Sequence, residues 1–167
     1  MIKRLFILLI CASLSSCHAG FSLSGASIPD YAKTFSVQYF KNQAQLAGPT
    51  LAQNFTDVLR NYVASHSRLS LATTGDLQFE GVISGYSIAP VTATSATQGV
   101  SATTRLTITV DVTYTDKKDT KKCFNSSFSR YADYPSSQNL ATVQDGLITQ
   151  ISNQLVQDIF DKAFNNW

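Results

Sequence analysis

Arg105-Leu106-Thr107-Ile108-Thr109-Val110-Asp111-Val112-Thr113-Tyr114-Thr115 decides the fold. Leu106, Ile108, Val110, Val112 and Tyr114 alternate with threonines and an aspartate, and strand side chains point alternately to two faces. One face of this strand is therefore dry and the other wet. The charged stretch from Asp116 to Lys122 follows, and beyond it Phe124 and Phe128 share a face with Ser126 and Arg130. That pattern predicts a return strand and a hairpin with a charged tip.

Upstream, Asp76-Leu77-Gln78-Phe79-Glu80-Gly81-Val82-Ile83 reads as another long strand, with Leu77, Phe79 and Ile83 on one face. Gly81 and Gly85 mark a bulge or a close approach, and the parity shifts near Gly85. Residues 89–104 are almost wholly Thr, Ala, Ser, Gly and Val, which bury too little apolar area to offset chain entropy, so a loop is expected. Thr34 to Tyr39 alternates with period two, placing Phe35, Val37 and Tyr39 on one face of the first strand. Gly48-Pro49-Thr50 is a break and a helix start, after which Leu51, Phe55, Val58, Leu59, Tyr62 and Val63 form a helical stripe to about Ala64. From about Gln138, Leu140, Val143, Leu147, Ile148, Ile151, Leu155, Val156, Ile159, Phe160 and Phe164 predict a longer helix, with Gly146 a weak point. Its stripe fits core packing better than a partner groove.

Two amphipathic helices and these strands bury their apolar sides most simply as an α+β two-layer sandwich. The expected order is β-α-β-β-β-α, a four-stranded sheet with both helices on one face, formed by residues 33–167 as a single domain.

The N-terminus carries a different signal. Lys3 and Arg4 precede an apolar run from Leu5 to Ala12, about eight residues against the roughly 20 that a membrane-spanning helix needs. Leu14-Ser15-Ser16-Cys17 then resembles the bacterial lipobox, which implies removal of residues 1–16 and acylation of Cys17. Residues 17–32, rich in Gly, Ser and Ala, would be the tether, and three acyl chains would anchor it almost permanently. Removing the signal takes Lys3 and Arg4 with it, so the 13 basic residues fall to 11 and balance the 11 acidic ones. Electrostatic work must then come from local patches. With Cys17 acylated and Cys11 removed, Cys123 has no partner for a disulfide or a cysteine zinc site. It reads as a small, half-buried strand residue.

Catalytic chemistry is sparse. There is no GxSxG, no HExxH and no glycine-rich phosphate loop, and His66 lies in a polar helix exit. Asp76 and Glu80 form the nearest acidic pair and read as a solvated face, so an enzyme based on carboxylates alone stays open. At the hairpin tip Lys117, Lys118, Lys121 and Lys122 outnumber Asp116 and Asp119 by two. Two readings remain: lysines that protect a hairpin against edge pairing, or a contact for a polyanion such as phosphorylated lipid headgroups. Arg105 and Arg130 read as partners of local carboxylates such as Asp133.

The chain resembles one family, the lipopolysaccharide-assembly lipoprotein LptE, and especially its short Bacteroidota branch. The likeness is carried by Cys17 with Gly20-Phe21-Ser22-Leu23, by Gly48-Pro49-Thr50-Leu51 and by Gly75-Asp76-Leu77-Gln78-Phe79-Glu80-Gly81. Arg105 to Val110, Phe128 to Tyr134, Asn153 to Phe160 and Trp167 complete it. The resemblance implies a non-enzymatic protein without cofactor, metal or nucleic-acid partner. It implies anchoring on the periplasmic side of the outer membrane, where members plug and help assemble the β-barrel translocon LptD one-to-one and contact lipopolysaccharide. Basic residues near strand ends serve that contact in the family, which Lys117, Lys118, Lys121 and Lys122 match in type and approximate place. His18-Ala19 before the Gly-Phe pair departs from the family pattern. The alternative is a free-standing periplasmic lipoprotein that holds a small amphiphile between sheet and helices.

Overall fold

The computed structural model describes residues 27–48, 50–91 and 102–165. The strands are β1 (Thr34–Val37), β2 (Lys41–Asn42), β3 (Ser70–Leu71), β4 (Leu77–Val91), β5 (Thr103–Asp116) and β6 (Phe124–Pro135). Helix α1 (Thr50–His66) lies between β2 and β3, and α2 (Leu140–Phe164) follows β6. The sheet runs β3-β1-β4-β5-β6, with β2 also on β4. β1 and β2 are parallel to β4, whereas β4, β5 and β6 form an antiparallel meander.

The α+β class and the two helices agree with the sequence, but the four-stranded sheet in the order β-α-β-β-β-α is corrected to six strands. β2 and β3 are two residues each, too short for any period to register. β2 exists because the first strand breaks and then resumes along the same edge of β4. The backbone N–H of Gln38 still donates to Phe79 O and that of Gln43 to Ile83 O, while Phe40 N–H turns to Thr56 Oγ1. The break reverses the parity. Tyr39, expected inside with Phe35 and Val37, is 48% exposed, and Phe40 is fully buried in its place. Its ring fits because β4 carries Gly81, where a Cβ would stand 2.7 Å from Phe40 Cε1.

The β5 alternation holds along the whole strand. Leu106, Ile108, Val110, Val112 and Tyr114 are buried and face the helices. Opposite them on β4 stand Phe79 against Tyr114, Gly81 against Val112 and Ile83 against Val110. The register slips between Ile83 and Gly85, the bulge that the parity change announced, and Tyr86 becomes the next buried residue. The expected 89–104 loop is shorter: Ala89–Val91 pair with Thr103–Arg105 in the ladder, because backbone hydrogen bonds extend a hairpin past its apolar part. The remainder, 92–101, lies outside the described residues.

Helix α2 starts at Asn139, whose side chain accepts the backbone N–H of Ala141 as an N-cap. Its stripe from Leu147 to Phe164 packs on β5, β6 and α1, closing the core with Phe79, Tyr114 and Phe160 around Phe164. Arg130 holds the helix to β6 through two 2.6 Å bonds to Asp158. Gly146 lies on the solvent side, and a Cβ there would meet nothing within 4 Å. Gly146→Ala should therefore stabilise the protein by about 0.5–1 kcal/mol, read from urea unfolding, because only unfolded-chain entropy changes.

The other face of the sheet is left uncovered by the helices. It presents Glu80, Thr107, Thr109, Asp111, Thr113, Ser127 and Ser129, with a hydroxyl contact of 3.0 Å between Thr109 and Ser129. Arg105 bonds Asp133 through two nitrogens at 2.7 and 2.9 Å and stacks 3.5 Å over the Tyr131 ring.

Candidate functional site

One end of the domain gathers most of the lysines of the described residues. β1 begins there, β5 ends there, β6 starts there and α2 finishes there. Asp116, the last residue of β5, points inward and is 1% exposed. Its Oδ1 accepts the backbone N–H groups of Lys118 (2.9 Å) and Asp119 (3.0 Å), and its Oδ2 accepts the Tyr31 hydroxyl at 2.5 Å. Asp119 in turn accepts the N–H of Lys121 and opens the 3₁₀ turn Thr120–Lys122. Cys123 is half-buried as expected but caps the 3₁₀ turn just before β6 rather than lying in the strand, and it accepts the N–H of Asp116 on Sγ at 3.3 Å. The tip is thus a tied structure, not a floppy turn.

This scaffold projects Lys117, Lys118 and Lys121 into solvent and leaves Lys122 half-buried. Lys118 Nζ stands 5.3 Å from the centre of the Tyr31 ring. Lys121 and Lys122 line a cleft of about 380 Å³ with Asp119, Phe124 and Phe164, and its far wall carries Lys162 from the last turn of α2. Lys162 Nζ lies 5.2 Å from the Phe124 ring and 5.9 Å from that of Phe128, a cation–π placement that holds the charge over the cleft floor. The structure therefore brings Lys121 and Lys122 together with a lysine 40 residues away, while Lys117 and Lys118 lie outside this cleft. Sequence reasoning missed Lys162; its one local signal is a basic residue in a helix's last turn, which usually answers the helix dipole. Cys17 lies outside the described residues.

The arginines are spoken for. All four arginines of the described residues make salt bridges with aspartates: Arg60 with Asp57, Arg68 with Asp30, Arg105 with Asp133 and Arg130 with Asp158. No lysine of the described residues makes one. Asp76 accepts the N–H groups of Lys33 and Thr34 and the Thr34 hydroxyl, and those bonds hold its pKa below the ordinary carboxylate value. Glu80 is exposed on the open face, so this pair forms no catalytic dyad. His66 is exposed and stacks on Tyr62 with ring centres 3.9 Å apart. Among the described residues no group of three His, Cys, Asp or Glu could hold a metal ion, and no helix is long and apolar enough to cross a membrane.

The Tyr31–Asp116 bond has a pH signature. Burial, then the bond to Asp116, pushes the Tyr31 hydroxyl from 10.0 up to about 12. Below pH 10 the phenol is neutral in both folded and unfolded chains and its stabilisation is complete. Between 10 and about 12 the unfolded chain ionises first, so stability falls. Tyr31→Phe should flatten that alkaline fall in the urea midpoint; an unchanged slope would remove Tyr31 as its source.

Comparison with known proteins bears on the whole domain. A search of curated protein sequences returned no significant match. The fold is similar to a minor lipoprotein from Acinetobacter baumannii, at 13% identity over 78% of this chain and 91% of that one, with a TM-score of 0.50. It is also similar to a hypothetical protein from Chlamydia trachomatis, at 9% identity over 80% and 99% of the two chains, with a TM-score of 0.52. At these identities the likeness is one of fold. The sequence itself matches the lipopolysaccharide-assembly family LptE over residues 32–163, from Ala32 before β1 to the last turn of α2. The chain therefore belongs to the LptE lipopolysaccharide-assembly family, non-enzymatic lipoproteins associated with the outer membrane.

Proposed function

We propose that this protein is an outer-membrane lipoprotein, anchored on the periplasmic side through acylated Cys17, that plugs the LptD barrel one-to-one and helps it assemble. In this reading Lys117, Lys118, Lys121 and Lys122 contact the phosphates of lipopolysaccharide on its way outward. The observation that carries the proposal is the family match across nearly the whole described domain. The uncovered sheet face supports it. Its hydroxyl-bearing side chains, already paired by strand hydrogen bonds beneath, suit a water-filled barrel lumen where contacts are made through polar groups and trapped water. The packed interior speaks against the alternative of an amphiphile held between sheet and helices, because Phe55, Leu59, Ile108, Ile151 and Leu155 meet there with no exposed surface.

The test is native mass spectrometry of a C-terminally tagged protein extracted from outer membrane in mild detergent. A one-to-one complex with a large β-barrel is expected. A lone lipoprotein would overturn the plug and return the free-standing binder.

A further inference from the structure

The sheet has two unlike edges. At one, β3 is only two residues long. At the other, β6 runs for 12 residues with no register shift against β5. Its outward side follows from the ladder. Ser136 N–H donates to Ala102 O, one step beyond the Thr103–Pro135 pair, and in antiparallel strands the residues that bond across alternate with those that do not. Even-numbered residues of β6 therefore bond to β5, while Asn125, Ser127, Ser129, Tyr131 and Asp133 turn N–H and C=O outward. Among the described residues no backbone group pairs with that side. The devices that usually guard such an edge are lacking: β6 has no lysine and no bulge, and its one proline, Pro135, is its last residue. On the helix side Phe124 and Phe128 are only half-buried, so apolar surface stays open beside the unpaired backbone.

The N-terminal part of the chain comes to this edge. Followed backward from β1, Tyr31 bonds Asp116 at the end of β5, and Ser27 N–H donates to Phe164 O while lining one cleft with Lys122, Cys123 and Phe124 at the start of β6. The path crosses the end of the sheet from β1, past β5, to β6. Residues 18–26 lie outside the described residues, and as nine extended residues at about 3.3 Å each they reach about 30 Å, enough to run beside Phe124–Tyr131. Ser27, the later residue, sits where β6 begins, so the segment approaches in the direction opposite to β6. Gly20-Phe21-Ser22-Leu23-Ser24 alternates apolar with polar, the period of a half-buried strand.

We propose that the outer edge of β6 is the docking site for residues 20–24, which add to the sheet as a seventh, antiparallel strand. Counted back from Ser27 beside Lys122, the register pairs Ser24 with Asn125, Ser22 with Ser127 and Gly20 with Ser129, whose outward N–H and C=O groups are thereby met. Phe21 and Leu23 then fall opposite Phe128 and Ser126 on the helix side and cover the open flank of Phe124 and Phe128. Ser22 and Ser24 join Ser127 and Ser129 on the wet face. Main-chain bonds supply the hold and the two apolar side chains the register, and attachment to the same chain lets a short strand suffice. A second copy of the chain would have to bind without that advantage. The docked strand closes the long edge, so the domain offers other chains no template for pairing.

Hydrogen exchange of the mature protein, carrying Cys17→Ser so that neither lipid nor barrel enters, reads the edge by parity. The Asn125, Ser127 and Ser129 amides should exchange at least about tenfold more slowly than in Ser22→Pro, which removes the N–H facing Ser127 O. The double variant Phe21→Ser, Leu23→Ser should release the same three amides. Those of Ser126 and Phe128, bonded to β5, should stay protected in all three proteins and show that the sheet is intact. Outward amides that exchange at the same rate in the parent and in both variants would overturn the docking. Protection that fades on dilution would overturn it too, and assign the edge to a second copy. Either failure leaves the plug reading standing, because no barrel is present in the experiment.

Discussion

Asp116→Ala should destabilise the protein by about 3 kcal/mol in urea unfolding. The residue is 1% exposed, and its carboxylate takes three hydrogen bonds, from the Tyr31 hydroxyl and the amides of Lys118 and Asp119. Alanine leaves the half-buried phenol without its acceptor and the turn without its organising side chain. Three bonds to an ionised, buried carboxylate are lost at once, and bonds to charged groups contribute more than neutral ones. Asp116→Asn keeps an acceptor for the turn amides and should cost only about a third as much. The second readout is hydrogen exchange: Lys118 and Asp119 amides should lose protection in the alanine variant and keep it in the asparagine one. A cost below about 0.5 kcal/mol, the range of ordinary surface changes, would show that Asp116 does not organise the tip.

The tip shows where sequence and structure part. The four lysines at 117, 118, 121 and 122 were legible as a cluster because they are neighbours in the chain. Lys162 was not, because it reaches the cleft only after α2 has crossed back over the sheet from the opposite end. The role of Asp116 was hidden likewise: at the end of an alternating strand it reads as the first charge of a turn, but its parity puts it inside. There it needs Tyr31, 85 residues upstream. Strongly periodic elements were readable, since β5, the inner face of β4 and both helical stripes each state their buried side in one stretch. β2 and β3 were not, because two residues carry no period. The bulge at Gly85 was visible as a slip in parity within a single strand. The break at Gln38–Phe40 was not, because what permits it, an absent Cβ, belongs to a residue on another strand.

That dependence makes Gly81 a position where a single methyl group should do great harm. An ideal Cβ at Gly81 would lie 2.1 Å from Asp111 O and 2.7 Å from Phe40 Cε1. The first contact is with backbone inside the β4–β5 ladder, where Gly81 faces Val112 and neighbouring pairs on both sides hold the spacing. The second is with a fully buried ring packed edge-on to Phe55 at 5.0 Å. Neither neighbour can yield alone. Moving the carbonyl opens the longest ladder in the sheet, and moving the ring forces Phe40 toward α1, where its own amide is bonded to Thr56. Overpacking of this kind typically costs 1–3 kcal/mol, and with backbone on one side the upper end applies, so Gly81→Ala should cost about 3 kcal/mol. Gly146→Ala supplies the contrast: the same chemical change in open space should stabilise. A Gly81→Ala protein within about 0.5 kcal/mol of the parent would mean that β2 pairs with β4 without Phe40 beneath Gly81. Restoring stability by adding Phe40→Leu to Gly81→Ala would locate the strain in the ring contact, and a double variant no better than Gly81→Ala would locate it in the carbonyl of Asp111.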